Sequence, residues 1–340
     1  NGSALTTNRW IHVGATYSNP KKLLKLYING QEVANDAVSG NLASDTSSFT
    51  IGREPDKDSG YFMGYIDEAK LFDKALTDDE YQKNVYQEIE DNTLVRGVVI
   101  PRDITTLSWS DVSRYFRFDI YKDDITDDLT TGSIDVGTGA KMYNFKIIDY
   151  QTAPLPFVTQ SSGILHTAVN IPSDGVRGLD ATTYDWSIVR VEHDNVTYSS
   201  NQKYLGLIIN ELDSSLNPIQ YHVQNDTVLN VSWYFKLDGF IDLDGESQLV
   251  QGDDSILDVT SKGYIERDQQ GTADLYTYNY WAAPVGVTST VSNNNNYSLA
   301  DVLYDGTTPV SPLTINWITS GYDGTSGSPV GIADYWIWKY

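Results

Sequence analysis

Residues 228–245 read VLNVSWYFKLDGFIDLDG, and the same texture continues to Tyr264-Ile265-Glu266. Val228 to Val231, Trp233 to Leu237, Phe240 to Leu243, Gln248 to Gln251, Ile256 to Val259 and Tyr264 to Glu266 are short runs rich in β-branched and aromatic residues, which suit a pleated, half-buried surface. Asp238-Gly239, Asp244-Gly245, Gly252-Asp253 and Lys262-Gly263 punctuate them with turn-forming residues. Strands this short with turns this frequent predict the rungs of a β-solenoid, with a sandwich of short strands as the alternative. No exact repeat period runs through the segment. Leu205 to Ile209 extends the pattern upstream, and the short-strand region is assigned to residues 164–340, reading as cut at its C-terminal end.

The whole chain shares this bias. Its 340 residues carry 46 acidic against 23 basic side chains, a net charge of −23, which excludes a nucleic-acid binder held by phosphate contacts. At 40% hydrophobic and 12% aromatic it is too apolar for intrinsic disorder. It has 0 cysteines, which excludes disulfides, thiolate zinc sites and cysteine nucleophiles. Leu205 to Ile209, the longest apolar stretch, is far short of the roughly 18 residues that cross a bilayer, so no membrane span is expected. With 24 Tyr and 26 Gly, the composition predicts an all-β, exported, extracellular cell-surface protein.

Residues 1–88 alternate strongly. Trp10 to Tyr17 has period two, and Leu23 to Ile28 runs into Asn29-Gly30, the strongest short hairpin signal, with Val33 on the return strand. Phe49 to Gly52 and Tyr61 to Phe72 are further strands. Thr77-Asp78-Asp79-Glu80 predicts a helix to about Glu88, with Thr77 as N-cap and Glu80 completing a capping box.

The order Arg9-Trp10-Ile11-His12-Val13, Leu24 to Gly30, Ile51-Gly52-Arg53, Gly64 to Phe72 and Ala75 to Glu80 resembles the second half of the laminin-G-like, concanavalin-type jelly roll. Leu107 to Asp119 resembles the opening strand of the same family, inside a connecting β unit at 89–163. Gly263 to Asp274, Tyr278 to Gly286, Ala300 to Thr307 and Tyr335 to Tyr340 resemble a segment of large type IX-secreted surface proteins of gliding Bacteroidota, and residues 107–157 resemble the same proteins. These resemblances imply a partial jelly roll followed by a solenoid- or sandwich-like region, in a modular, non-enzymatic surface protein.

Chemistry is sparse in the text. The histidines at 12, 166, 193 and 222 show no paired metal spacing, and nucleophile elbows, phosphate loops and dinucleotide fingerprints are absent. Calcium is the expected cofactor, because hard cations want several oxygens on loops. Asp123, Asp124, Asp127 and Asp128 crowd four acids into six residues, and Asp56 and Asp58 precede Tyr61. Asp242-Leu243-Asp244-Gly245-Glu246 lacks the remaining ligands of a calcium loop and reads as a turn. Asp67 and Glu68, adjacent on a strand, are expected on opposite faces. Tyr276, Tyr278 and Tyr280 share a strand face beside Trp281, and Trp336 and Trp338 share another. Thr227 and Ser255 sit in Asp-Ser/Thr-apolar triplets resembling O-glycosylation acceptors of exported Bacteroidota proteins.

The expected work is adhesion or gliding-associated attachment to an extracellular glycan or surface protein, after export by type IX secretion machinery, with self-association into filaments as a further expectation. A calcium-dependent lectin, a structural filament subunit and an accessory part of a polysaccharide-degrading enzyme are the alternatives.

Overall fold

The computed structural model describes residues 10–41, 46, 48–85, 87–104, 106–145, 148, 151–165, 187–198, 200–269, 271, 279–280, 298–308 and 311–338. Their fold is all-β, with helix confined to short pieces. It begins with an antiparallel meander of β1 (Val13–Ser18), β2 (Leu23–Ile28) and β3 (Gln31–Ala37). Asn29 and Gly30 make the β2–β3 turn with φ of 49° and 77°. A two-residue primed turn needs that backbone, and Asn and Gly adopt it at least cost. Tyr27 of β2 stacks on Tyr81 of the following helix, ring centroids 4.1 Å apart.

That helix, α1 (Asp78–Asn84), opens with the expected capping box. The Glu80 N–H donates to the Thr77 hydroxyl at 3.1 Å, and the Thr77 N–H donates to the Glu80 carboxylate at 2.9 Å. Glu80 is buried and also holds Lys74 (2.8 Å) and Thr106 (2.7 Å). The helix stops four residues before Glu88, because Val85 turns to extended backbone and the chain folds back.

β4 (Ala69–Phe72) ends the motif Gly64 to Phe72. After the small hairpin of β5 (Ile89–Glu90) and β6 (Arg96–Gly97), the aromatic stretch near Tyr115 forms β7 (Val112–Phe116), which pairs antiparallel with β4. β7 thereby covers an edge of β4, whose N–H and C=O groups would otherwise be left open. Glu68 sits just before β4 at φ 57°, and this left-handed residue breaks the alternation expected at Asp67 and Glu68. Both carboxylates turn into one polar cluster. Asp67 accepts from Gln151, Thr152 and Ala153, while Glu68 accepts from the Tyr115 hydroxyl at 2.7 Å. The acidic segment follows as β8 (Tyr121–Lys122) and β9 (Ile125–Thr126), with β10 (Ala140–Lys141) completing a small meander.

From Phe157 the chain winds as a solenoid. β11 (Phe157–Val158), β13 (Ile188–Val191), β15 (Gln202–Ile209), β17 (Val228–Leu237), β19 (Gln248–Gln251) and β20 (Ile256–Leu257) form one parallel sheet. β12 (Gly163–Ile164), β14 (Val196–Tyr198), β16 (Gln220–Val223), β18 (Phe240–Leu243) and β21 (Tyr264–Arg267) form the other. Coils differ in length: register partners lie 18 residues apart at Val189 and Leu207, and 32 apart at Phe157 and Val189. Leu207 and its next partner Phe235 are 28 apart, and coils of such unequal length are why no repeat period shows in the sequence. Beyond the solenoid, β22 (Tyr304–Asp305) pairs with β23 (Leu313–Thr314), and β24 (Asn316–Ile318) with β25 (Gly331–Ala333).

One apolar core joins the units. Tyr27, Tyr81, Ile100, Ile104 and Tyr115 belong to the same buried cluster as Leu207, Trp233, Phe235 and Leu243. Gly206 lies where a Cβ would sit 2.7 Å from the Ile100 side chain, so the 95–104 segment seats closely on the solenoid.

Candidate functional site

In a strand, alternate side chains face opposite sides, and parallel register carries that alternation from rung to rung. On the second solenoid sheet, Tyr221, Val223, Ile241 and Leu243 point inward and are buried. The outward positions align in columns: Gln220 beside Phe240 beside Tyr264, and His222 beside Asp242 beside Glu266. Phe240 and Tyr264 stack, centroids 4.9 Å apart and planes within 6°.

His222 and its neighbours form a polar constellation on this face. Nε2 of His222 lies 2.7 Å from Asp244 Oδ2 and 4.0 Å from Asp242 Oδ2. The Gln220 amide donates to Asp242 Oδ2 at 2.7 Å. Burial raises the Asp242 carboxyl above the usual range and the charges of Asp244 and Asp268 add to it, against the opposing pull of His222. Glu266 is raised by burial and by Asp242 and Asp268. Among the described residues, His222, Asp242 and Asp244 are the group of three potential metal ligands whose donor atoms all lie within 4.8 Å of one another.

Asp123 to Asp128 are spread along the β8–β9 hairpin and the short turn that follows it. Asp123 occupies a turn at φ 56°, and Asp124 pairs with Lys141 at 3.0 Å. Asp127 is buried and accepts from the backbone N–H groups of Gly137 (2.7 Å), Thr138 (3.2 Å) and Val136 (3.3 Å). Asp128 accepts from the N–H groups of Tyr115 (3.2 Å) and Thr130 (3.1 Å). Asp56 lies in an exposed turn at φ 56°, and nearby Asp58 accepts from the Tyr61 hydroxyl. Thr227 is nearly buried with its hydroxyl donating to the Gln224 carbonyl, whereas Ser255 is half-buried at the β19–β20 turn. Tyr276, Tyr278 and Trp281 lie outside the described residues; Tyr280, Trp336 and Trp338 are exposed.

In the sequence His222 shows no metal-ligand spacing, and Asp242 and Asp244 read as a turn. The signal was present in the outward alternation of Gln220-His222, Phe240-Asp242-Asp244 and Tyr264-Glu266-Asp268, but it converges only through the register. Apart from this face, a concavity of about 410 Å³ opens at the seam between Pro101 and the solenoid, beside Arg190, Tyr234, Lys236 and Asp258.

Residues 1–81 match the laminin-G model of the concanavalin A-like lectin/glucanases superfamily, so the N-terminal unit is a laminin-G-like module. A crystal structure of an S-layer domain-containing protein from Clostridium thermocellum matches at 35% identity over 24% of this chain and 42% of that one, with a TM-score of 0.21. This chain therefore spans less than half of the matched structure's length. No curated protein matches. No helix among the described residues is long and apolar enough to cross a membrane.

Proposed function

We propose that this chain is a non-enzymatic extracellular surface module, in which a laminin-G-like unit rides on a β-solenoid and attaches to an external glycan or surface protein. The observation that carries the reading is the continuous core running from Tyr27 to Leu243, which makes the two parts one rigid carrier rather than beads on a linker. The outward solenoid face supports it: side chains on an open sheet stand side by side, a geometry suited to surface contact. Attachment in a gliding bacterium after type IX export is the finer form of the proposal and rests on the resemblance of the 263–286 and 335–340 stretches. Calcium stiffening of the acidic loops belongs to the same reading.

The test is glycan-array and surface-protein binding by the whole chain, with calcium and with a chelator. Saturable binding supports attachment, and its loss with the chelator makes calcium part of it. Regular filaments by electron microscopy with no ligand on either array would replace attachment with a structural role.

A further inference from the structure

We propose that His222, Asp242 and Asp244 bind a divalent transition-metal ion of the zinc class on the outward face of the solenoid. This site is independent of the attachment reading above. The donor set is the first argument. One imidazole nitrogen with two carboxylates suits zinc, cobalt or nickel, whereas calcium takes six to eight oxygens.

Spacing is the second argument. The three donor atoms lie within 4.8 Å of one another, with Nε2 2.7 Å from Asp244 and 4.0 Å from Asp242. A tetrahedral ion with ligands at roughly 2.1 Å holds its donors about 3.4 Å apart. The two His222 separations differ from that spacing by about 0.7 and 0.6 Å, and the pair of carboxylates by at most about 1.4 Å, shifts shared between side chains.

The scaffold is the third. His222 and Asp242 are register partners on adjacent parallel strands whose alternate residues, Tyr221, Val223, Ile241 and Leu243, are locked in the core. Gln220 fixes the Asp242 carboxylate from outside the ligand set, the supporting contact that metal sites use. Charge is the fourth. Among the described residues, no lysine or arginine ion pair reaches Asp242, Asp244, Glu266 or Asp268, and Asp242 lies beside Glu266 in the strand register. A dication offsets the negative charge gathered there. Three protein ligands leave its remaining positions facing outward.

The experiment is isothermal titration calorimetry of the full chain, free of any histidine tag, with zinc chloride and separately with calcium chloride, alongside cobalt(II) absorption. One zinc equivalent binds, calcium gives no competing heat at this site, and bound cobalt shows the visible bands of a low-coordinate ion. Gln220→Ala weakens zinc by about tenfold, and His222→Ala and Asp244→Asn each by more than about 100-fold, since losing a ligand exceeds losing its support. Both ligand side chains lie on the solvent side, so circular dichroism and metal-free melting stay at the wild-type values; Asp244→Asn keeps its volume and serves if His222→Ala does not fold. No zinc uptake by the wild type, uptake unchanged in both ligand variants, or calcium bound more tightly than zinc would each overturn the proposal.

Discussion

The Arg102 guanidinium lies over the Trp233 ring, 5.2 Å from its centroid, and donates to the carbonyls of Trp233 and Asp254, the latter at 2.8 Å. Lys83 of α1 sits 5.4 Å from the same ring. The turn after the N-terminal unit is thus clamped to the middle of the solenoid by a cation that satisfies two backbone carbonyls at once. Arg102→Ala should cost about 2 to 3 kcal/mol, the range for charge-assisted bonds whose partners are left unpaired. Arg102→Lys should recover part of it, because a point charge cannot reproduce the planar fork. Urea unfolding reads the difference, and an unchanged midpoint for Arg102→Ala would show that the junction is held elsewhere.

Gly239 and Gly263 mark successive corners between the two solenoid sheets. A Cβ on Gly263 would fall 1.8 Å from the Gly239 carbonyl oxygen, and one on Gly239 would fall 2.5 Å from the carbonyls of Asn210 and Ile219. Backbone cannot yield as a side-chain tip can. Gly263→Ala should therefore destabilise by more than about 2 kcal/mol, whereas Gly40→Ala, with nothing within 4 Å, should be nearly neutral. Thermal melts of the two variants side by side make the comparison.

The Glu68 side chain is 7% exposed, and burial pushes its carboxyl up to about 7, against the opposing effects of Lys70 and the Tyr115 hydroxyl. The ordinary value is 4.5, so between those limits the folded protein holds a proton that the unfolded chain has released. The contribution is complete below 4.5 and lost as pH rises through 7, on the order of 3 kcal/mol. Glu68→Gln should flatten the pH dependence of melting across that window and be the more stable protein at pH 8. Superimposable profiles would rule out Glu68 as the titrating group.

Asp127 supplies the acceptors for three backbone N–H groups between Val136 and Thr138. Asp127→Ala should cost about 1 to 3 kcal/mol by leaving them unpaired. Hydrogen exchange should accelerate at those amides specifically. Uniform protection in the variant would mean that the loop is organised without this carboxylate.

Local chemistry was legible in the text wherever it closed over a few residues. Asn29-Gly30 turned as read, Thr77 and Glu80 capped α1 as read, and Phe240 to Leu243 formed a rung with the bounds read from its flanking turns. The pairing of β4 with β7 was not legible, because an aromatic-alternating strand carries no label for the edge it will cover.

The sequence by itself therefore determined the β class, the short-rung texture and the turns that separate the rungs, since these follow from backbone preference and side-chain alternation within a few residues. Only the tertiary structure decided that His222 would face Asp242, twenty positions along the chain, and that Arg102 would reach Trp233. Coils of unequal length place register beyond any fixed spacing. It is set instead by which apolar side chains stack in the core, and the outward residues come together as a consequence.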